Sequence, residues 1–211
     1  MKSYTIYLIR NGLTAENAEG RYIGHTDVHL SEEGRAQLGQ LADDMVFPYV
    51  SAVFSSPLAR CTETANILYP GIKPIIIDDF IECNFGEFEG RTAEELKDSE
   101  EFAAWLGGEP DCAPPYGESN KQFFQRVVSA FESVVDGLLK TSTTDAAIVT
   151  HGGMIMAVLA AFGFPELPMH EWRCNCGCGF AIRIDARLWM TGRKFEVFSE
   201  FPYERETMPE D

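Results

Sequence analysis

The sequence is short of positive charge: 17 Lys and Arg stand against 33 Asp and Glu, a formal net charge of −16 over 211 residues. Such a chain has no bulk attraction for nucleic acid or an anionic membrane, so neither is expected as a partner, and any anion it binds needs a local basic island. Long apolar runs are missing too; none approaches the ~20 residues that cross a bilayer. Met1-Lys2-Ser3 runs straight into an apolar segment without the regions of a secretory leader, and a cytoplasmic protein is expected. No Pro/Gly/Ser-rich linker, internal repeat or low-complexity tract divides the chain. The length suits one α/β domain over residues 1–211, with a short cap insert at about 92–117. The six cysteines are irregularly spaced, which fits reduced thiols better than a disulfide framework. Cys174, Cys176 and Cys178 form a closer set. On an extended strand they would share one face at steps of about 6.5–7 Å, too wide for neighbouring thiolates to chelate one metal ion.

What is present starts with residues 4–9, β-branched or aromatic almost without a break, which predicts a buried strand of a parallel sheet. Arg10 ends that run with a fixed charge, and Gly12 lets backbone N–H groups approach a ligand closely. A phosphoryl group is the natural occupant of such a strand end; a turn whose arginine faces water is the alternative. The connection over residues 15–30 carries Asn17, Arg21, His25 and His29, and loops of this length tend to be functional. Ser31 with Glu32 and Glu33 predicts a helix start, the helix running to about Met45.

Further along, a short strand at 52–54 leads into Ser55-Ser56-Pro57-Leu58-Ala59-Arg60. Ser56 and Pro57 predict an N-cap and first helical residue, which sets Arg60 on the first turn of a helix at the sheet edge that Arg10 occupies. Residues 74–77 predict another buried strand, followed by an acid-rich stretch with Glu82 and Glu89. Residues 92–108 predict a helical cap with Leu96, Phe102, Trp105 and Leu106 as its apolar side. A long amphipathic helix follows from Phe123, Val127, Phe131, Val134 and Leu138 at three- and four-residue steps. Glu118 and Ser119 just before it either cap that helix or border the site. Residues 146–150 predict a strand ending in His151-Gly152-Gly153, and a histidine there, before a helix start, is placed to touch an anion. Residues 179–186 and 195–201 predict a hairpin-like pair of edge strands turning near Gly192-Arg193, and residues 203–211 a frayed tail.

Taken in order, Arg10-Asn11-Gly12-Leu13-Thr14, Ser55-Ser56-Pro57-Leu58-Ala59-Arg60, the Glu-x-x-x-Gly-x-x-Glu-Gly run from Glu82 to Gly90, and His151-Gly152 resemble the motifs of the histidine phosphatase superfamily. That superfamily includes the cofactor-dependent phosphoglycerate mutases and many phosphomonoesterases; the short acidic insert resembles its phosphatase branch. The resemblance spans about residues 2–163 and implies a three-layer α/β/α sandwich with a mostly parallel sheet, phosphoglycerate mutase-like. It implies hydrolysis of a small phosphorylated metabolite through a phosphohistidine, with no metal or organic cofactor. Arg10, Asn17 and Arg60 then hold the phosphate, Glu82 protonates the leaving oxygen, and His151 hydrogen-bonds the phosphoryl oxygens. The family's nucleophilic histidine falls at Asn11, whose amide is not a nucleophile. The expectation is therefore a phosphatase impaired at Asn11, with an inactive phosphate-binding sensor and a phosphoglycerate mutase as alternatives. Phe85, Phe88, Trp105 and Tyr116 are left between lining a leaving-group pocket and packing a core.

Overall fold

The computed structural model describes residues 2–204. In chain order its strands and helices are β1 (Ser3–Arg10), α1 (Ala15–Ala18), α2 (Glu32–Asp44), β2 (Met45–Val46), β3 (Ala52–Ser55), α3 (Ala59–Leu68), β4 (Ile75–Ile76), α4 (Ala93–Leu96), α5 (Glu100–Leu106), α6 (Asn120–Thr141), β5 (Asp145–Thr150), α7 (Gly152–Phe162), β6 (Gly163–Phe164), β7 (Gly179–Asp185), α8 (Ala186–Gly192), β8 (Phe195–Phe201) and β9 (Tyr203–Glu204).

Seven strands form one sheet in the order β4-β3-β5-β1-β7-β8-β6, and β2 pairs with β9 apart from it. The pairs β4–β3, β3–β5, β5–β1 and β6–β8 are parallel, whereas β7 runs antiparallel to both β1 and β8. Side chains alternate across a strand, and β1 shows how this builds three layers. Tyr4, Ile6 and Leu8 face a core shared with Phe131, Val134 and Leu138 of α6 and Ile155 and Val158 of α7. Tyr7 and Ile9 face the opposite core, with Leu38 of α2 and Cys61, Ala65 and Leu68 of α3. The α/β/α sandwich with a largely parallel sheet is thus present as expected.

Local differences have local causes. Residues 74–77 form no buried strand: β4 is a two-residue edge strand whose Ile75 and Ile76 are about half exposed, because nothing pairs beyond it among the described residues. Neither of the last two long strands is an edge strand: β8 lies between β7 and the two-residue β6. β7 is interior, between β1 and β8, and the segment joining β7 to β8 is α8, opened by Asp185 accepting from the N–H groups of Arg187 and Leu188. Ser119 caps α6 in a capping box with Gln122. Tyr203 and Glu204 form β9, and the rest of the expected frayed tail, residues 205–211, falls outside the described residues.

The cap insert holds a small core of its own. Phe88, Leu96 and Phe102 are buried, and Tyr22, Phe85 and Trp105 pack against them. Leu106, expected on its apolar side, faces outward instead.

Candidate active site

Parallel strands end at one edge of a sheet, so side chains far apart in sequence meet there. Arg10 closes β1, and its Nη1 donates to the carbonyl of Cys174 at 2.7 Å. The neighbouring backbone is tied to the same 174–178 segment: Arg10 N donates to the Cys178 carbonyl and Gly177 N to the Arg10 carbonyl. Cys174, Cys176 and Cys178 therefore sit in a turn that grips Arg10, not on the extended strand assumed for them; all three are free thiols.

Next to Arg10, Asn11 is buried; its Nδ2 donates to the Gly12 carbonyl at 2.8 Å, and its backbone N–H donates to Thr150 at the end of β5. Gly12 N in turn donates to Thr64 Oγ1 of α3 at 2.9 Å.

His151 follows β5 directly and occupies the N-cap position of α7. It is 2% exposed, with Nε2 2.8 Å from Ser56 Oγ and 3.5 Å from Cys61 Sγ. Burial, then the positive charges of Arg60, Arg126 and Arg10, push its pKa well below the usual value, so the imidazole is neutral at pH 7. Ser56 is not the cap of α3. That helix starts two residues later than expected, with Leu58 at the N-cap position, and the serine hydroxyl is left facing His151.

Arg60 still lies on the first turn of α3. Its guanidinium donates to the carbonyls of Gly24 and Thr26, at 2.8 and 2.9 Å. The N–H groups of that loop are held from the other side by one carboxylate: Glu89 accepts from Gly24, His25 and Thr26. Glu89 is thus the loop-ordering residue, and His25 and His29 are exposed on the loop itself.

Glu82 is buried, and its Oε2 accepts from Gly153 N at 3.0 Å. Burial raises its pKa, opposed by hydrogen bonds from the Cys83 and Gly153 N–H groups and by Arg60 and Arg10. Arg126 fixes the backbone beneath it, donating to the carbonyls of Asp79, Ile81 and Glu82 and pairing with Glu118. Two glycines make the arrangement possible. A Cβ on Gly153 would collide with Glu82 Oε1, and one on Gly152 would lie 3.4 Å from Arg10 Nε.

A pocket of about 290 Å³ opens beside Arg10, Glu82 and the glycine pair, lined also by Asn17, Arg21 and Arg173. It shares Glu82 and Tyr22 with a larger, mostly apolar cleft of about 530 Å³. Phe85 and Trp105 line the cleft; Phe88 is in the cap core and Tyr116 is 89% exposed. Ser56 and Arg173 went unnoticed as site residues in the sequence. The serine was accounted for as a helix cap, and a single arginine outside any motif gives no signal.

A basic, glycine-floored pocket at the carboxyl edge of a largely parallel sheet defines an anion-handling α/β protein. The profile of the histidine phosphatase superfamily (branch 1) matches residues 6–190, and the chain belongs to that family. It is 29% identical over 184 residues to the adenosylcobalamin/alpha-ribazole phosphatase of Salmonella typhimurium, covering 85% of this chain and 90% of that one. It is also 29% identical over 205 residues to an acid phosphatase of Mycobacterium tuberculosis, covering 91% and 95%. Among solved structures, the alpha-ribazole phosphatase from Shigella flexneri superposes with a TM-score of 0.75 at 26% identity, over 92% of this chain and 94% of that one.

These findings correct the expectation of a site disabled by loss of its histidine to Asn11. The family match runs through residue 11 to residue 190, and an intact imidazole, His151, stands buried at the same sheet edge as Arg10 and Glu82. The chain is accordingly an enzyme of the phosphatase family, and no helix among the described residues is long and apolar enough to cross a membrane.

Proposed function

We propose that the chain hydrolyses small phosphomonoesters through a phosphohistidine intermediate. The observation that carries this reading is the convergence on residues 151–153. Glu82 accepts from Gly153 N at 3.0 Å, Arg10 Nε passes close to Gly152, and His151 opens the same turn. Arg10, Asn17 and Arg60 are assigned to the phosphate and the loop that covers it, as guanidinium groups suit phosphoryl oxygens. His151, neutral and set against Ser56, is assigned to the phosphoryl group. Of the four histidines, His25, His29 and His170 are exposed and His151 is buried, which supports His151 as the residue that carries the phosphoryl group. Glu82 is assigned as general acid, since a raised carboxyl pKa keeps a proton available for the departing oxygen. Water then releases inorganic phosphate and restores the imidazole.

A single domain over residues 1–211 with its cap at about 92–117 belongs to the same reading, as does a cytoplasmic setting, which suits the six free cysteines. The test is phosphate release from an aryl phosphate and a panel of sugar and nucleotide phosphates, with acid-quenched protein mapped for phosphohistidine. Release together with label on His151 is the expected result. Absence of both, across the panel, would overturn the proposal.

A further inference from the structure

We infer that Arg173 is a substrate-binding residue and that the leaving group it selects is an aromatic ring carrying an anionic substituent. The inference rests on the phosphomonoesterase reading and goes beyond it to the class of substrate.

The larger cleft opens beside Glu82, where a departing group has to lie. Its wall is a set of rings fixed against one another: Tyr22 meets Phe85 and Trp105 edge-on at 5.4 and 5.8 Å, and Phe85 meets Trp105 at 5.5 Å. Such a wall is rigid before binding and offers ring faces and edges to another flat group.

Arg173 lines both this cleft and the phosphate pocket. Arg21, Arg35, Arg126 and Arg193 are paired with carboxylates, and Arg10 and Arg60 are each anchored by backbone carbonyls beside the phosphate pocket they are assigned to. The Arg173 guanidinium has no hydrogen-bond or ion-pair partner among the described residues. Acids outnumber Lys and Arg 33 to 17 in the chain, yet Glu82 is the one carboxylate lining either cavity among the described residues. An arginine on open surface would be equally unpaired; what sets Arg173 apart is that both cavities end on it. A ring seated on the aromatic wall would bring a carboxylate or similar substituent to that guanidinium and shield the pair from water, where it is worth more than on open surface.

The experiment compares binding of phenylphosphonate and 4-carboxyphenylphosphonate by calorimetry to the unaltered protein, Arg173→Ala and Arg173→Lys. Neither ligand is an ester, so the measurement does not depend on turnover. The carboxylated ligand is expected to bind about tenfold more tightly to the unaltered protein, with the preference falling to about twofold or less in Arg173→Ala and partly kept in Arg173→Lys. An equal preference in Arg173→Ala, or no preference in the unaltered protein, would overturn the inference. Hydrolysis of the two matching phosphate esters is measured beside it: a binding preference without phosphate release counts against the phosphatase reading alone.

Discussion

His151 Nε2 lies 2.8 Å from Ser56 Oγ, joining the end of β5 to the loop before α3 inside a site that water barely reaches. A neutral imidazole donates through one nitrogen and accepts through the other, so this hydroxyl holds the ring's orientation as well as its place. Ser56→Ala leaves the buried Nε2 with only the weaker Cys61 Sγ, at 3.5 Å, as a partner. The expected cost is about 1–3 kcal/mol of stability by urea unfolding, with a larger proportional loss in kcat than in KM for an aryl phosphate.

The two titrating groups act in opposite directions with pH. Glu82 has a raised pKa when folded, so its contribution to stability is complete below its ordinary value of about 4.5 and is lost as pH rises through the folded value. His151 has a lowered pKa, so its contribution is present above its ordinary 6.5 and is lost as pH falls through the folded value. In activity, the rate should fall on the alkaline side as Glu82 loses its proton. Glu82→Gln should remove that limb and lower kcat by about 10²–10⁴-fold for an alkyl phosphate, less for an aryl phosphate whose leaving group needs less protonation. A pH–rate profile of both proteins on both substrates checks it.

Glu89 and Arg60 hold opposite sides of the loop at residues 24–26, one by its N–H groups and the other by its carbonyls. Glu89→Ala should therefore raise amide hydrogen exchange at Gly24, His25 and Thr26 by about tenfold or more while leaving β1 and β5 protected. Unchanged exchange at those three amides would show that Arg60 alone suffices.

Gly153→Ala forces a methyl group onto Glu82 Oε1 at the start of α7. The carboxyl group has to move, and its hydrogen bond to the residue 153 N–H with it. Turnover should fall by about 10²-fold while the far-UV spectrum is kept, since alanine itself suits a first helical turn. Gly152→Ala, with 3.4 Å to Arg10 Nε, is expected to be milder.

Phe131 is fully buried between α7 and α8, with ring contacts to Phe162, Trp189 and Phe195. Phe131→Ala should cost about 3–5 kcal/mol by urea unfolding, which tests the α6 face of the core independently of the site.

The periodicity of Phe123, Val127, Phe131, Val134 and Leu138 and the uninterrupted apolar run of β1 were enough to read a long amphipathic helix and a buried strand, because each follows from the local repeat of side-chain directions. Arg10 and His151 could be picked out because each lies where a strand pattern breaks off, whereas Glu82, in an acid-rich stretch, stood out only through the family motif it matches. Edges could not be read this way. Residues 75–76 are apolar whether or not a neighbour covers them, and β7 looks the same alone as it does between β1 and β8.

What the amino-acid order alone determined is β1, the amphipathic α6, the strand of residues 146–150, and Arg10, Arg60 and His151 near element ends, all local features of chain geometry and charge. What only the tertiary structure decided is who meets whom. Ser56 turns from a helix cap into the partner of His151, the 174–178 turn becomes the clamp on Arg10, and Arg173 comes to stand where two cavities join. Those pairings join residues up to 164 positions apart. No local repeat encodes such a distance; it arises when parallel strands stack and bring their carboxyl ends to one edge.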